Sequence, residues 1–205
     1  MFRPPRHAAF TLIEMITVIA IIALLAGLVL AVNGLVQQKS ARSRADAEIR
    51  MLSTAIESYK NDNGGYPESN TSDTLDARAV SDPMKYASAS QFLYGELTGD
   101  TKFTGMASNM TKNYAPDFWK PSRLGGFKTN GVVTYIQDPF GNSYGYSTIG
   151  LAAEQTYRAQ LAANPANTAR PNAANPQGYN PTFDLWSTCG DASVPANVAK
   201  WAKNW

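Results

Sequence analysis

Apolar side chains are spread along this chain in three regimes. Across residues 10–36 they are nearly continuous, FTLIEMITVIAIIALLAGLVLAVNGLV, with Glu14 the single ionisable residue and no charge at all from 15 to 36. A hydrocarbon layer is crossed by ~20 helical residues, so this run is long enough to span one. Sixteen of its residues are Leu, Ile, Val or Phe. At about −0.3 to −0.6 kcal/mol each, their insertion outweighs the ~2.5 to 3.5 kcal/mol that one carboxylate removes. Glu14 therefore leaves insertion favourable, yet an acid in lipid stays costly and needs a partner.

Beyond residue 36 the run gives way to a stripe. Ala45, Ile49, Leu52, Ile56 and Tyr59 recur at steps of three or four, with Arg42, Asp46, Arg50 and Glu57 on the water side. That spacing predicts that the apolar helix continues outward as an amphipathic extension over residues 37–63. Gly27 and the pair Asn33-Gly34 are its weak points, each Gly costing ~1 kcal/mol against Ala. Gly64 and Gly65 supply a left-handed cap, and Pro67 prevents the helix from resuming.

The third regime, residues 64–205, reads as a globular domain with long loops. ESNTSDTLDARAVSD is polar and predicts a loop, and Asp82-Pro83 opens a turn or short helix. SQFLYGELTG predicts a short helix ended by Gly99, with Phe92, Leu93 and Leu97 inward. NYAPDFWKPSRLGGF predicts an irregular loop whose aromatics, Tyr114, Phe118, Trp119 and Phe127, favour core packing over a ligand groove. Residues 132–136 and 143–149 are rich in β-branched and aromatic side chains around the turn Asp138-Pro139-Phe140-Gly141-Asn142, which predicts a hairpin. A further strand is expected at 182–187 and a helix in LAAEQTYRAQLAANP, stopped by Pro165. ANPANTARPNAANPQGYNP predicts an exposed loop, and SVPANVAKWAKNW a last helical turn or two with Val198, Trp201 and Trp205 on one side.

Charge and composition narrow the function. The formal charge is +2, and Arg3 and Arg6 account for it, because residues 10–205 hold 16 basic and 16 acidic side chains. Positive residues ahead of a first span keep that end in the cytoplasm, so everything after residue 36 is expected on the far side. No basic cluster interleaved with aromatics occurs, and no nucleic-acid partner is expected. Cys189 is the single cysteine, which excludes an intrachain disulfide. His7 is the single histidine and lies ahead of the apolar run. Without it no imidazole remains for a triad or a zinc site, and no enzyme is predicted.

The string Ala9-Phe10-Thr11-Leu12-Ile13-Glu14, after a short basic leader and before the long apolar run, resembles the class III signal of type IV pilins and type II secretion pseudopilins. The resemblance implies that residues 1–9 are a leader and that a prepilin peptidase cuts between Ala9 and Phe10. It further implies that the new amine of Phe10 is N-methylated, and that Glu14 pairs with the amine of a neighbouring copy. The family usually has Gly before the cut, so Ala9 is a departure. A carboxylate and an amine meeting in an apolar core relieve each other's desolvation, whereas either one alone is penalised. An ordinary signal anchor is the bland alternative; a cleaved secretory signal has a shorter core of ~7 to 15 residues.

Three further strings, Tyr59-Lys60-Asn61-Asp62-Asn63-Gly64-Gly65-Tyr66-Pro67, Asp138-Pro139-Phe140-Gly141-Asn142-Ser143-Tyr144 and Phe183-Asp184-Leu185-Trp186-Ser187, are similar in order to the major, G-type pseudopilin. The fold this implies is α+β, a long amino-terminal transmembrane helix packed on a small antiparallel sheet. Implied with it are a single-pass location in the inner membrane with the globular domain outside the cytoplasm, and membrane lipid, prepilin peptidase, an assembly platform, other pseudopilins and further copies of the chain as partners. No cofactor is expected beyond calcium, which the G-type subunit holds in the loop after its Asp-Leu-Trp-Ser-like strand. Ser187 and Asp191 match that site, but no Asp or Glu follows from 192 to 205. One carboxylate is few against ~6 to 8 oxygen ligands, and docking of Trp201 and Trp205 is the other way to hold the loop. The functions to be separated are a secretion pseudopilin, a type IV pilus subunit in adhesion, motility or DNA uptake, and a binding ectodomain on a plain signal anchor.

Overall fold

The computed structural model describes residues 10–106, 112–115, 131–166, 168–170, 177–191 and 197–205, apart from the side chains of 29–33 and 35. The leader expected at 1–9 and the aromatics Phe118, Trp119 and Phe127 lie outside the described residues. The chain divides into two units, Met1–Ser40 and Ala41–Trp205. Helix α1, Leu12–Asn63, contributes to both.

In the first unit the described apolar side chains are exposed, Phe10 by 81%, Ile13 by 67% and Leu24 by 65%. A helix apolar on every side is one whose surroundings are lipid or other helices. Among the described residues no helix is long and apolar enough to cross a membrane. The described side chains of the run are interrupted after Leu28, whereas the sequence carries it to Val36.

In the second unit the stripe on α1 is buried as its spacing predicts. Ala45, Ile49, Leu52 and Ile56 pack with Leu93, Tyr94 and Leu97 of α3 (Ala87–Thr98), with Val133 and Ile136, and with Tyr144, Tyr146 and Leu185. α3 ends where expected: Gly99 takes a φ of 70° and its N–H bonds back to the Gly95 carbonyl. Helix α4, Ile149–Ala163, closes just before Pro165. The sheet has three antiparallel strands in the order β1 (Gly145–Ser147), β2 (Asp184–Ser187), β3 (Ala202–Lys203). Gly145 faces Trp186 and Ser147 faces Asp184, while Trp186 in turn faces Lys203. The architecture is α+β and pilin-like, a long amino-terminal helix with a small antiparallel sheet.

Both faces of the sheet are covered, which is why β1 and β2 are buried at every position. Leu185 points into the cluster around α1. Trp186 belongs to a second cluster with Leu75, Ala77, Tyr86, Ala89 and Trp201, edged by Tyr179 and Trp205. Its indole lies across β1 so closely that a methyl group at Gly145 would sit 2.1 Å from ring carbon Cε2. Only a residue without a side chain fits there.

Three expectations are corrected. Residues 132–136 do not form a strand, because other elements take their backbone groups. The Val133 N–H bonds to the Phe103 carbonyl at 2.6 Å, the Gln91 amide donates to the Val133 carbonyl at 2.6 Å, and the Ile136 N–H goes to Ser90 Oγ at 3.0 Å. The hairpin shrinks to the bridge between Gln137 and Ser143. The tail makes one 3-10 turn, Val198–Lys200, and then becomes β3, since the open edge of β2 offers it hydrogen bonds. Within the expected polar loop, Asn70–Asp73 forms a short helix, α2, which the Thr148 N–H and hydroxyl secure through Ser72.

Gly145→Ala is expected to lower stability by more than about 3 kcal/mol, the range of severe overpacking. A urea midpoint equal to that of the parent protein would contradict the packing of Trp186 over β1.

Candidate functional site

The amino-terminal turn of α1 is built by Thr11 and Glu14. Thr11 is the last residue before the helix, and its N–H and its hydroxyl both donate to Glu14 Oε2 at 2.7 Å. The Glu14 N–H returns to Thr11 Oγ1 at 3.3 Å, and the Met15 N–H reaches the Thr11 carbonyl at 3.3 Å. This is a reciprocal capping box, in which a Thr and a Glu three residues apart satisfy helix N–H groups that have no partner in the helix itself. The glutamate charge also lies at the positive end of the helix dipole. Glu14 is thus held by its own chain, through Thr11, the residue next to Phe10. In the sequence, Thr11 is marked only by the pattern Thr-x-x-Glu before an apolar run, the signature of a capping box.

Elsewhere, the carboxylates that sequence similarity brings forward serve as structural acceptors. Asp138 Oδ1 accepts the N–H groups of Phe140 at 2.9 Å and Asn142 at 2.8 Å, closing the turn. Its Oδ2 accepts the Ser187 hydroxyl at 2.5 Å. Asp184 accepts the N–H groups of Tyr179 and Asn180, each at 2.8 Å. Burial raises both carboxyls above the ordinary aspartate value, against the pull of these hydrogen bonds, and the charge of Glu48 adds to the rise at Asp138. Glu48 is itself buried and accepts the Tyr144 hydroxyl at 2.7 Å.

The two residues matched to a calcium site are engaged separately. Ser187 is bound to Asp138 and also accepts the Cys189 N–H at 3.0 Å, while the Asp191 carboxylate faces the Lys200 ammonium at 3.2 Å. Among the described residues no three of His, Cys, Asp and Glu gather as a metal site. This donor set does not fit calcium. Burial pushes the Cys189 thiol up, away from the reactive thiolate. Tyr114 stands edge-on to Tyr59 at 5.5 Å with its hydroxyl on Asp62, at the side of a cleft of about 350 Å³.

Residues 4–30 match the family described as Prokaryotic N-terminal methylation motif. That match covers 27 of the 205 residues, so it speaks for the amino-terminal signal. No curated protein and no solved structure matches the chain. The motif is the class III signal of the type IV pilin and pseudopilin superfamily. With the fold, it defines a membrane-anchored, pilin-like protein of the kind that prepilin peptidase processes. Proteins of this kind are generally structural and not enzymes.

Thr11→Val keeps the shape of the side chain but removes the cap. Loss of ~1 kcal/mol at the first turn is expected. It is read as about fivefold faster amide exchange at Glu14 in detergent micelles, and unchanged exchange would contradict the capping box. Burial of Asp138 couples stability to pH. The folded chain holds a raised-pKa proton more tightly than the unfolded chain, so stability falls as pH rises from the ordinary aspartate value, about 3.9, through the raised one. Asp138→Asn keeps an acceptor for the two N–H groups and lets the Ser187 hydroxyl turn round, so its cost should be below about 1 kcal/mol. Asp138→Ala strands three donors at ~1 to 3 kcal/mol each. Urea midpoints against pH should show the Asn variant gaining on the parent protein as pH rises through this window; a constant difference would contradict the assignment.

Proposed function

We propose that this protein is a filament-forming pseudopilin of a type II secretion system, cut by prepilin peptidase between Ala9 and Phe10 and assembled through residues 10–36. The observation that carries this reading is Glu14, the one ionisable side chain in residues 10–36 and the fifth residue after the site of the cut. Cleavage turns the Phe10 nitrogen into an amine, and a neighbour's amine meets Glu14 once copies pack along their apolar faces. In lipid each charge is a liability; joined, the two fix the register of one copy on the next.

The similarity of three short strings to the G-type subunit favours secretion. A type IV pilus subunit is the second reading, since both systems use the same methylation signal. Arg3 and Arg6 hold the leader in the cytoplasm, where the peptidase acts, and send the second unit across the inner membrane. Lipid surrounds residues 10–36 before assembly, and other copies surround them afterwards.

Glu14→Ala should leave insertion and cleavage intact, with mass spectrometry finding methylated Phe10 as the first residue in both proteins, while sedimentable filaments fall at least tenfold. A filament yield equal to the parent's would remove the pairing, and an intact Met1 in the cell would leave a plain anchor. Long surface filaments from the unaltered gene at its native expression level would transfer the protein to the pilus reading.

A further inference from the structure

We propose that residues 197–205 are clasped by aromatic rings and by the chain's own cations, at the place where the pseudopilins it resembles hold calcium, and that this protein folds without a divalent ion. Among the described residues, the side-chain oxygens nearest to a calcium site already have partners. Ser187 bridges Asp138 and the Cys189 N–H, Asp191 has its counter-charge in Lys200, and Asp138 and Asp184 each accept at least two protein donors. From 192 to 205 the sequence supplies no further carboxylate side chain.

In place of an ion there is a column of four groups. The Arg78 guanidinium lies 4.4 Å from the centre of the Tyr179 ring, and its Nε–H donates to the Gly178 carbonyl at 2.7 Å. The Tyr179 ring is stacked on Trp205, with centres 4.4 Å apart and planes within 5° of parallel. The Lys203 ammonium completes the column 5.5 Å from the Trp205 ring. Beside it Trp201, 2% exposed, stacks on Trp186 at 6.3 Å.

The indole N–H groups of Trp201 and Trp205 find no acceptor among the described residues. Ring contact and cation–π attraction therefore hold them. Hydrogen bonds then fix the backbone: the Leu185 N–H donates to Asn204 Oδ1 at 2.9 Å, the Asn204 amide donates to the Phe183 carbonyl at 3.0 Å, and Arg42 of α1 donates to the Ala199 carbonyl at 3.3 Å. The Lys200 side chain is 62% exposed, so its ion pair is screened and secondary. Arg78, then Tyr179 with Trp186, then Trp201 with Trp205 thus bring together three separate stretches of chain.

The test uses the full-length protein in detergent and reads the fold, so it stands apart from the assignment to a secretion filament. Thermal unfolding is followed in excess EGTA and in excess calcium chloride, and tryptophan-sensitised emission is followed on adding terbium. An ion present at about 100 times its Kd would raise Tm by roughly 5 to 10 °C. The expected difference is below about 1 °C, with no terbium emission that calcium displaces. Trp205→Ala is expected to lower Tm by about 5 to 10 °C in either buffer, and Arg78→Gln, which removes the outer cation together with its hydrogen bond to the Gly178 carbonyl, by about 1 to 3 °C. A calcium-dependent rise in Tm, or terbium emission quenched by calcium, overturns the proposal. Parent-like melting of both variants overturns the clasp.

Discussion

The second unit depends on a helix that is apolar on one side only. Strands of three, four and two residues make a sheet too small to stand in water by itself. It persists because Ala45, Ile49, Leu52 and Ile56 cover one face, and because α3 and the 131–136 segment fill the space beside them. Glu48 lies within the same stripe, buried, and its carboxylate takes the Tyr144 hydroxyl just ahead of β1. Helix and sheet are thus joined by burial and by a buried hydrogen bond of 2.7 Å.

The other face of the sheet rests on Trp186. Its partner across the ladder is Gly145, so the indole can lie flat over β1 and reach Tyr86 and Trp201 beyond. Large aromatic rings bury more area per residue than aliphatic side chains, and a domain with few regular elements gains most from them. The loops that surround this cluster are closed by Asp138 and Asp184, each accepting N–H groups from residues two to five positions away in sequence. Desolvation works against these carboxylates as charges, and the turns they close offset that cost.

At the amino terminus the same economy of partners takes another form. Glu14 is the residue that makes the apolar run costly, and Thr11 satisfies it locally with two hydrogen bonds to one oxygen. On the proposed reading, a single copy can wait in the membrane with its acid capped, and assembly exchanges a neutral partner for a charged one. The exchange is favourable where water is excluded, since an ion pair gains more there than a hydroxyl contact does.

How much could be read in advance follows from the range of the forces involved. The one-sided stripe on α1, the Gly99 cap, the Pro165 stop and the strand at Asp184–Ser187 are written in local spacing and local stereochemistry, and each stands where its residues predict. The amino-terminal signal is of the same kind, being a short string whose charge, polarity and length speak together. The strand expected at 132–136 failed because Gln91, Ser90 and Phe103, distant in sequence, took its backbone groups, and the tail became β3 because β2 had an edge to fill. The sequence by itself therefore determined the apolar stripe on α1 and where α1, α3 and α4 end, since those depend on neighbours a few residues away. Only the tertiary structure decided which backbone groups pair across the sheet, which carboxylates are spent on turns, and that Arg78, Tyr179, Trp205 and Lys203 stand in one column, because these depend on residues brought together from separate parts of the chain.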